Sequence, residues 1–326
     1  MRILRRLSDI AHMARDFYGV ISGTDYFHLP DLLGRYFIDG KSYYIDFRGK
    51  VNWTGAMDEN VPLLFIPALN KNFFHPGMIL QYGLGSIDMY FSTGSQIFLE
   101  NVHHVGAWLF THSDELGSYN NLLDQLNNNP QIQYYSNNSA MTQGEAISFL
   151  TRALRHGMLP NNPDEIRNII RRIYKNMKLP IEQGGATIYK DGKVYLCEYC
   201  RKDEYIVLNG WIFALFGLSD YCIDFDDTEG KNFLRETIDT LADCINSFIV
   251  PKDNWSYYDN RKRLCYPPYQ ITHINQLDAL SRLTGKKEFQ SAHAKLVIGN
   301  SHYNQVKYTS KKVLEKLFDT QHYATT

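Results

Sequence analysis

The 326-residue chain carries 34 Lys and Arg against 35 Asp and Glu, and 44% of its residues are apolar. That balance excludes the global basic field that nucleic acid selects, leaves open a local basic groove for an anionic polymer, and allows a packed core. Five scattered cysteines make no disulfide framework, and no apolar run is long enough to span a bilayer. Tyrosine is abundant, with 23 copies. A phenol offers a flat face, a hydroxyl and an acid of pKa about 10, all useful in a sugar cleft, although half-buried packing accounts for tyrosine equally well.

Residues 1–18 read as an amphipathic helix with Ile3, Leu7, Ile10, Ala14 and Phe17 on one face. Arg2, Arg5, Arg6, Asp9 and Arg15 interrupt the apolar core of a signal peptide, so docking on the protein's own body and a cytoplasmic location are expected. Residues 42–47 and 61–69 have extended character, the second broken by Pro62 and Pro67, and predict edge strands and loops. From Pro76 the periodicity turns helical and predicts four pairs: 78–91 with 96–110, 140–154 with 163–176, 206–221 with 231–248, and 272–283 with 287–298. A polar loop at Asn127-Asn128-Asn129-Pro130 follows the first pair. Gln183-Gly184-Gly185 leads into short strands within 187–199, residues 251–270 are irregular, and a polar tail begins at Ser301.

A weak repeat runs through the pairs. Gln81-Tyr82-Gly83, Gln143-Gly144, Asn209-Gly210 and Asn275-Gln276 lie near the start of each first helix, at spacings of 62, 66 and 66 residues. The fold class this predicts is mainly α: an α/α toroid of helical hairpins with a small N-terminal β or irregular segment. Residues 1–75 form the N-terminal segment, 76–300 the toroid, and 301–326 a C-terminal tail. First helices of such an array line the inside, so their amides point toward a central cleft.

Two irregular segments hold the chemistry-bearing residues. One runs from Leu196-Cys197-Glu198-Tyr199 to Val207-Leu208-Asn209-Gly210, the other from Tyr258-Asp259-Asn260-Arg261 to Tyr269 and Thr272-His273-Ile274-Asn275-Gln276-Leu277. Together with Gln81-Tyr82-Gly83-Leu84 and Gln143-Gly144-Glu145-Ala146-Ile147-Ser148, these segments resemble the C-terminal catalytic domain of D-glucuronyl C5-epimerases, with similarity from about Pro62 to Phe289. Around the first tyrosine the family commonly has Glu-Glu-Tyr-Pro, where this chain has Cys197-Glu198-Tyr199-Cys200.

The resemblance implies an isomerase that converts glucuronate to iduronate within a heparosan-like chain. It implies Tyr199, Tyr258 and Tyr269 as active-site tyrosines, Glu198 as the adjacent acid, and a homodimer. Epimerisation at C5 needs a base on one face, an acid on the other, and donors that neutralise the carboxylate. Glu198 with Tyr199 suits one face and Tyr269 the other. Tyr258 and Arg261 suit orientation of the sugar, with the arginine drawing a tyrosine toward its phenolate. Asn209, His273, Asn275, Gln143 and Gln81 are candidate substrate-binding residues. His273, Asn209 and Asn275 are equally open to structural roles, the two asparagines as helix caps. No second Cys or His pair accompanies Cys197 and Cys200 at zinc spacing, so neither a metal nor another cofactor is expected. A polysaccharide lyase shares the proton abstraction, and a non-catalytic uronan-binding protein shares the cleft; both are alternatives at this stage.

Overall fold

The computed structural model describes residues 32–33, 41–66, 69–121 and 132–318. The helix expected over 1–18 and the polar loop at 127–130 lie outside the described residues. Within them the chain is mainly helical, with a few short strands concentrated near the N-terminal side.

Eight helices form the four expected pairs: α1 (Pro76–Thr93) with α2 (Gln96–His112), α3 (Ala140–Arg155) with α4 (Pro163–Lys178), α5 (Leu208–Asp224) with α6 (Thr228–Cys244), and α7 (Pro267–Thr284) with α8 (Lys287–Gly299). Burial divides them into two layers. In α5 every residue from Leu208 to Tyr221 is buried, and α3 is nearly as enclosed. By contrast α4 buries one face through Ile166, Ile170, Ile173, Tyr174 and Met177. The local sequence of α4 explains its ends. Asn162 accepts the Asp164 N–H, Pro163 fills the first position, and Asp164, Glu165, Lys175 and Lys178 match the helix dipole. First helices pack on one another in the order α1, α3, α5, α7. The closest crossing is α3 on α5, because a Cβ at Gly144 or at Gly217 would collide with the facing backbone.

The segment expected to be extended is short. Strand β1 (Leu32–Leu33) pairs antiparallel with β2 (Ile45–Asp46), and β3 (Met57–Asp58), β4 (Val61–Ile66) and β5 (Lys71–Phe74) make a small antiparallel sheet. Tyr43, Tyr44, Ile45 and Phe47 belong to the main core rather than to a separate unit. Tyr44 stacks on Phe216 of α5 with centroids 4.4 Å apart and donates to Asp220 Oδ1 at 3.2 Å. Asp220 also pairs with the buried Arg152 of α3 at 3.0 Å. Strands β6 (Thr187–Lys190) and β7 (Lys193–Leu196) form the expected hairpin between α4 and α5.

Two expectations need correction. Helix α7 begins at Pro267, so Tyr269 and Gln270 sit in its first turn and not in an irregular segment. The residues from 301 are not a tail: His302–Phe318 form helix α9, and Tyr308 stacks on Trp255 at 4.7 Å. Asp253 Oδ2 accepts from both Lys307 Nζ and Tyr308 Oη, which fastens α9 to the segment before α7.

Candidate active site

Strand β7 ends at Leu196, and the next residues turn across the start of α5. There Glu198 packs against Gly210, where any Cβ would collide with its carboxylate and its Cβ. Glycine in the Asn209-Gly210 pair thus makes room for the acid. Glu198 is 7% exposed. Burial lifts its carboxyl to about 7 from an ordinary 4.5, against the opposing pull of a hydrogen bond from Tyr199 and the charge of Arg263. The Tyr199 hydroxyl is held well above its usual range by burial and by the adjacent Glu198. Tyr258 is also raised, by burial first and then by Glu198, Tyr199 and Tyr269. The rings of Tyr258 and Tyr269 meet edge to face, centroids 5.0 Å apart. All four residues expected to carry the chemistry therefore share one place.

They share it within a small apolar cluster distinct from the main core. Tyr205, Val207, Trp255, Tyr258, Cys265 and Tyr308 form its buried part, and Tyr199 and Tyr269 pack against it.

The arginine beside the tyrosines is Arg263, not Arg261. Arg261 is half exposed and its guanidinium pairs with Asp203 Oδ2 at 2.8 Å. The chain turns through Lys262 at φ 60°, and the Arg263 carbonyl accepts the Tyr258 N–H at 2.7 Å. That return brings the Arg263 guanidinium to 5.4 Å from the Tyr258 ring centroid. Asp259 holds it there. Its buried carboxylate receives Arg263 Nε, the Tyr205 hydroxyl at 2.9 Å and the Arg261 N–H at 2.9 Å. The expected drift of a tyrosine toward phenolate is not found at Tyr199 or Tyr258, because burial and the neighbouring Glu198 both push the phenols up.

His273 lies one turn beyond Tyr269 on α7 and is fully buried. Gln270 Oε1 accepts both Ser256 N–H and Ser256 Oγ–H at 2.7 Å, so the serine proton is committed. Ser256 Oγ lies 3.0 Å from His273 Nδ1, and Cys265 Sγ lies 3.6 Å from the same nitrogen. His273 is a neutral imidazole, its pKa pulled to about 3 by burial, and its Nε2 has no hydrogen-bond partner among the described residues. Asn209 Oδ1, Gln276 Oε1 and Glu198 Oε2 share that property. Asn209 lies in the first turn of α5, His273 and Gln276 in the second and third turns of α7, and Glu198 in the turn packed on Gly210 of α5.

The other amides are engaged elsewhere. Gln81 Nε2 donates to Glu145 Oε1 at 3.0 Å, tying α1 to α3. Gln143 Nε2 donates to Asn138 Oδ1 at 2.8 Å, and both residues are buried. Asn275 is half-buried and stands about 120° around α7 from Tyr269. Its neighbour Gln276 is in line with Tyr269 and donates to the Asn209 carbonyl at 3.0 Å, joining α7 to α5. Sequence reasoning thus missed Arg263, Tyr205 and Gln276. Cys197 and Cys200 are buried thiols raised by burial, and Cys200 Sγ is shared between the carbonyls of Asn138 and Gly185 at 3.2 and 3.3 Å. They pack the base of the turn that presents Glu198.

Residues 121–297 match the family model described as D-glucuronyl C5-epimerase C-terminus, which is more than half of the chain. The chain belongs to this C5-epimerase family. The match contains Glu198, the three tyrosines, Arg263 and His273. It begins well after Pro62, so α1 and α2 lie before it, and α9 lies beyond it. The family is one of epimerases, and no described helix of this chain is long and apolar enough to cross a membrane.

Proposed function

We propose that this protein is a polysaccharide glucuronyl C5-epimerase, converting glucuronate to iduronate within a heparosan-like chain. The observation that carries the reading is the buried Glu198 carboxyl, poised near neutrality and surrounded by Tyr199, Tyr258 and Tyr269. A base that works at neutral pH needs a pKa near 7, and an acid that returns a proton needs to hold one there. Glu198 meets the first need, and a phenol, which holds its proton at neutral pH, meets the second.

In this scheme Glu198, acting with Tyr199, takes the C5 proton on one face of the sugar. Tyr269, edge-on to Tyr258, returns a proton to the opposite face. Charge that spreads from C5 onto the sugar carboxylate is met by Arg263 and by phenol hydroxyls, donors that act best in a site shielded from water. The neutral His273 Nε2, Asn209 Oδ1 and Gln276 Oε1 accept from sugar hydroxyls and orient the ring. Enclosed first helices and one-faced second helices support closure of the pairs into an α/α toroid, with this site at one end of α5 and α7.

The test is incubation with heparosan in deuterated water. Deuterium at C5 with iduronate signals and intact chains is the expected result. Chain cleavage with an unsaturated end identifies a lyase, and binding without either change identifies a uronan-binding protein. Tyr269→Phe is expected to lower the exchange rate by about a hundredfold or more, and near-normal exchange in that variant removes Tyr269 from the mechanism.

A further inference from the structure

On the flank of α4, away from the tyrosines, lies a recess of about 410 Å³ whose wall includes Asn168, Arg171, Arg172, Lys175 and Asn176, with Glu115 as its acid. Arg171, Arg172 and Lys175 are exposed. Arg171 rests over the Phe225 ring at 5.2 Å, and Arg172 donates to Ser113 Oγ at 2.8 Å; neither contact neutralises a charge.

Asn176 supplies the independent observation. Its orientation is set through Asn138, whose Oδ1 accepts the Ser139 N–H at 2.8 Å. Asn138 Nδ2 must then donate, to Asn176 Oδ1 at 2.6 Å and to the Gly184 carbonyl at 3.0 Å. That leaves Asn176 Nδ2 as the end of the amide with no partner among the described residues, on a residue that lines the recess. Asn176 is 2% exposed, and this Nδ2 has no hydrogen-bond partner among the described residues. A buried amide donor with both protons unspent is costly unless something accepts from it. Beside it stand three cationic side chains that can only donate. The chemistry that completes such a set is an anionic oxygen.

We infer that this recess is a second anion subsite, which takes a carboxylate or sulfate of the same polysaccharide outside the reacting sugar. The assignment rests on the polysaccharide reading above. A short hydrogen-bonded segment lies between recess and reacting centre. The Asn138 amide faces Asn176, its carbonyl accepts the Cys200 thiol at 3.2 Å, and the Ala140 N–H donates to the Cys197 carbonyl at 2.7 Å. The strand end that presents Glu198 and Tyr199 is thereby backed by the residue that orients Asn176.

Two variants test the subsite. Asn176→Asp keeps the oxygen that Asn138 needs and replaces the unspent amide by a second oxygen that repels an anion. Should burial of that carboxylate impair folding, Arg171→Ala with Lys175→Ala removes two exposed charges and buries none, at the loss of the Arg171 contact with Phe225. Affinity for heparosan is measured by titration calorimetry at several salt concentrations, and the ratio of kcat/KM for heparosan over its tetrasaccharide is measured by isotope exchange. Both variants are expected to weaken polymer binding by about tenfold, to flatten its salt dependence, and to lower the ratio by a similar factor. Unchanged affinity and salt dependence in the folded double variant overturn the proposal. Thermal stabilisation by inorganic sulfate that the variants lose, with polymer affinity intact, also overturns it, since the ligand is then a free anion. Polymer binding reads out whether or not exchange occurs, so failure of the epimerase reading is distinguishable from failure of the subsite.

Discussion

Glu198→Gln separates the chemistry of the site from its stability. In the folded protein the carboxyl titrates at about 7, against 4.5 when unperturbed. Below pH 4.5 the group is protonated in both folded and unfolded chains, and the raised pKa has no effect. Between 4.5 and 7 the unfolded chain releases the proton first, so folding stability falls as pH rises. Above 7 the folded protein carries the full cost of an ionised buried carboxylate, about 3 kcal/mol. Glutamine has nearly the same shape, still accepts from Tyr199, fits against Gly210 and never ionises. The variant is therefore expected to match the wild type in stability near pH 4 and to exceed it by about 3 kcal/mol at pH 8. Its isotope exchange is expected to fall by a factor on the order of 10² to 10⁴, the usual contribution of a general base. Urea unfolding at a series of pH values measures the first quantity. A stability difference that does not change between pH 4 and 8 would refute the assignment of the raised pKa to Glu198. Retained exchange would refute its role as base.

Three further expectations follow from the geometry. His273 titrates at about 3 in the fold against 6.5 when unperturbed, so stability is lost as pH falls through that window, by about 5 kcal/mol at the lower end; His273→Gln should make acid unfolding, followed by circular dichroism, less steep. Gly210→Ala drives a methyl into Glu198 and should lower isotope exchange at least tenfold while costing about 1–3 kcal/mol of stability by thermal unfolding. Arg263→Ala should lower exchange by about a hundredfold, whereas Arg261→Ala, which breaks an exposed pair with Asp203, should change it by about threefold at most; the reverse order returns the carboxylate role to Arg261.

The helix pairs were legible because the outer helices each bury one face, a pattern that periodicity reads directly. The start of α7 was not. Pro267 and Pro268 look like breakers, yet they occupy the first helical positions, where a missing N–H costs nothing. Helix α9 was hidden for another reason: its buried positions include Asn304 and Tyr308, one polar and one amphipathic, which leave little apolar periodicity. In the candidate site, the motif pairs Tyr258 with Arg261, but the arginine that lies over the Tyr258 ring is Arg263. A left-handed residue at Lys262 reverses the chain, so the partner across the turn is Arg263, and spacing along the sequence does not reveal a reversal. Asn275 and Gln276 show the same limit on a helix, where one position shifts a side chain by about 100°.

The apolar cluster that houses the tyrosines draws on chain segments far apart: residues 199–207 behind β7, 255–269 before and within α7, and Tyr308 on α9. Every one of its contacts across those segments is non-local, and closing such loops is the slow part of folding. During synthesis α9 emerges after the other described helices, while the inner helices α1, α3 and α5 already hold the residues for the main core. The body of the protein can thus consolidate on the ribosome before its reacting centre has a complete wall. By this order of emergence, the wall around the candidate site is completed only once α9, the last of the described helices, is in place.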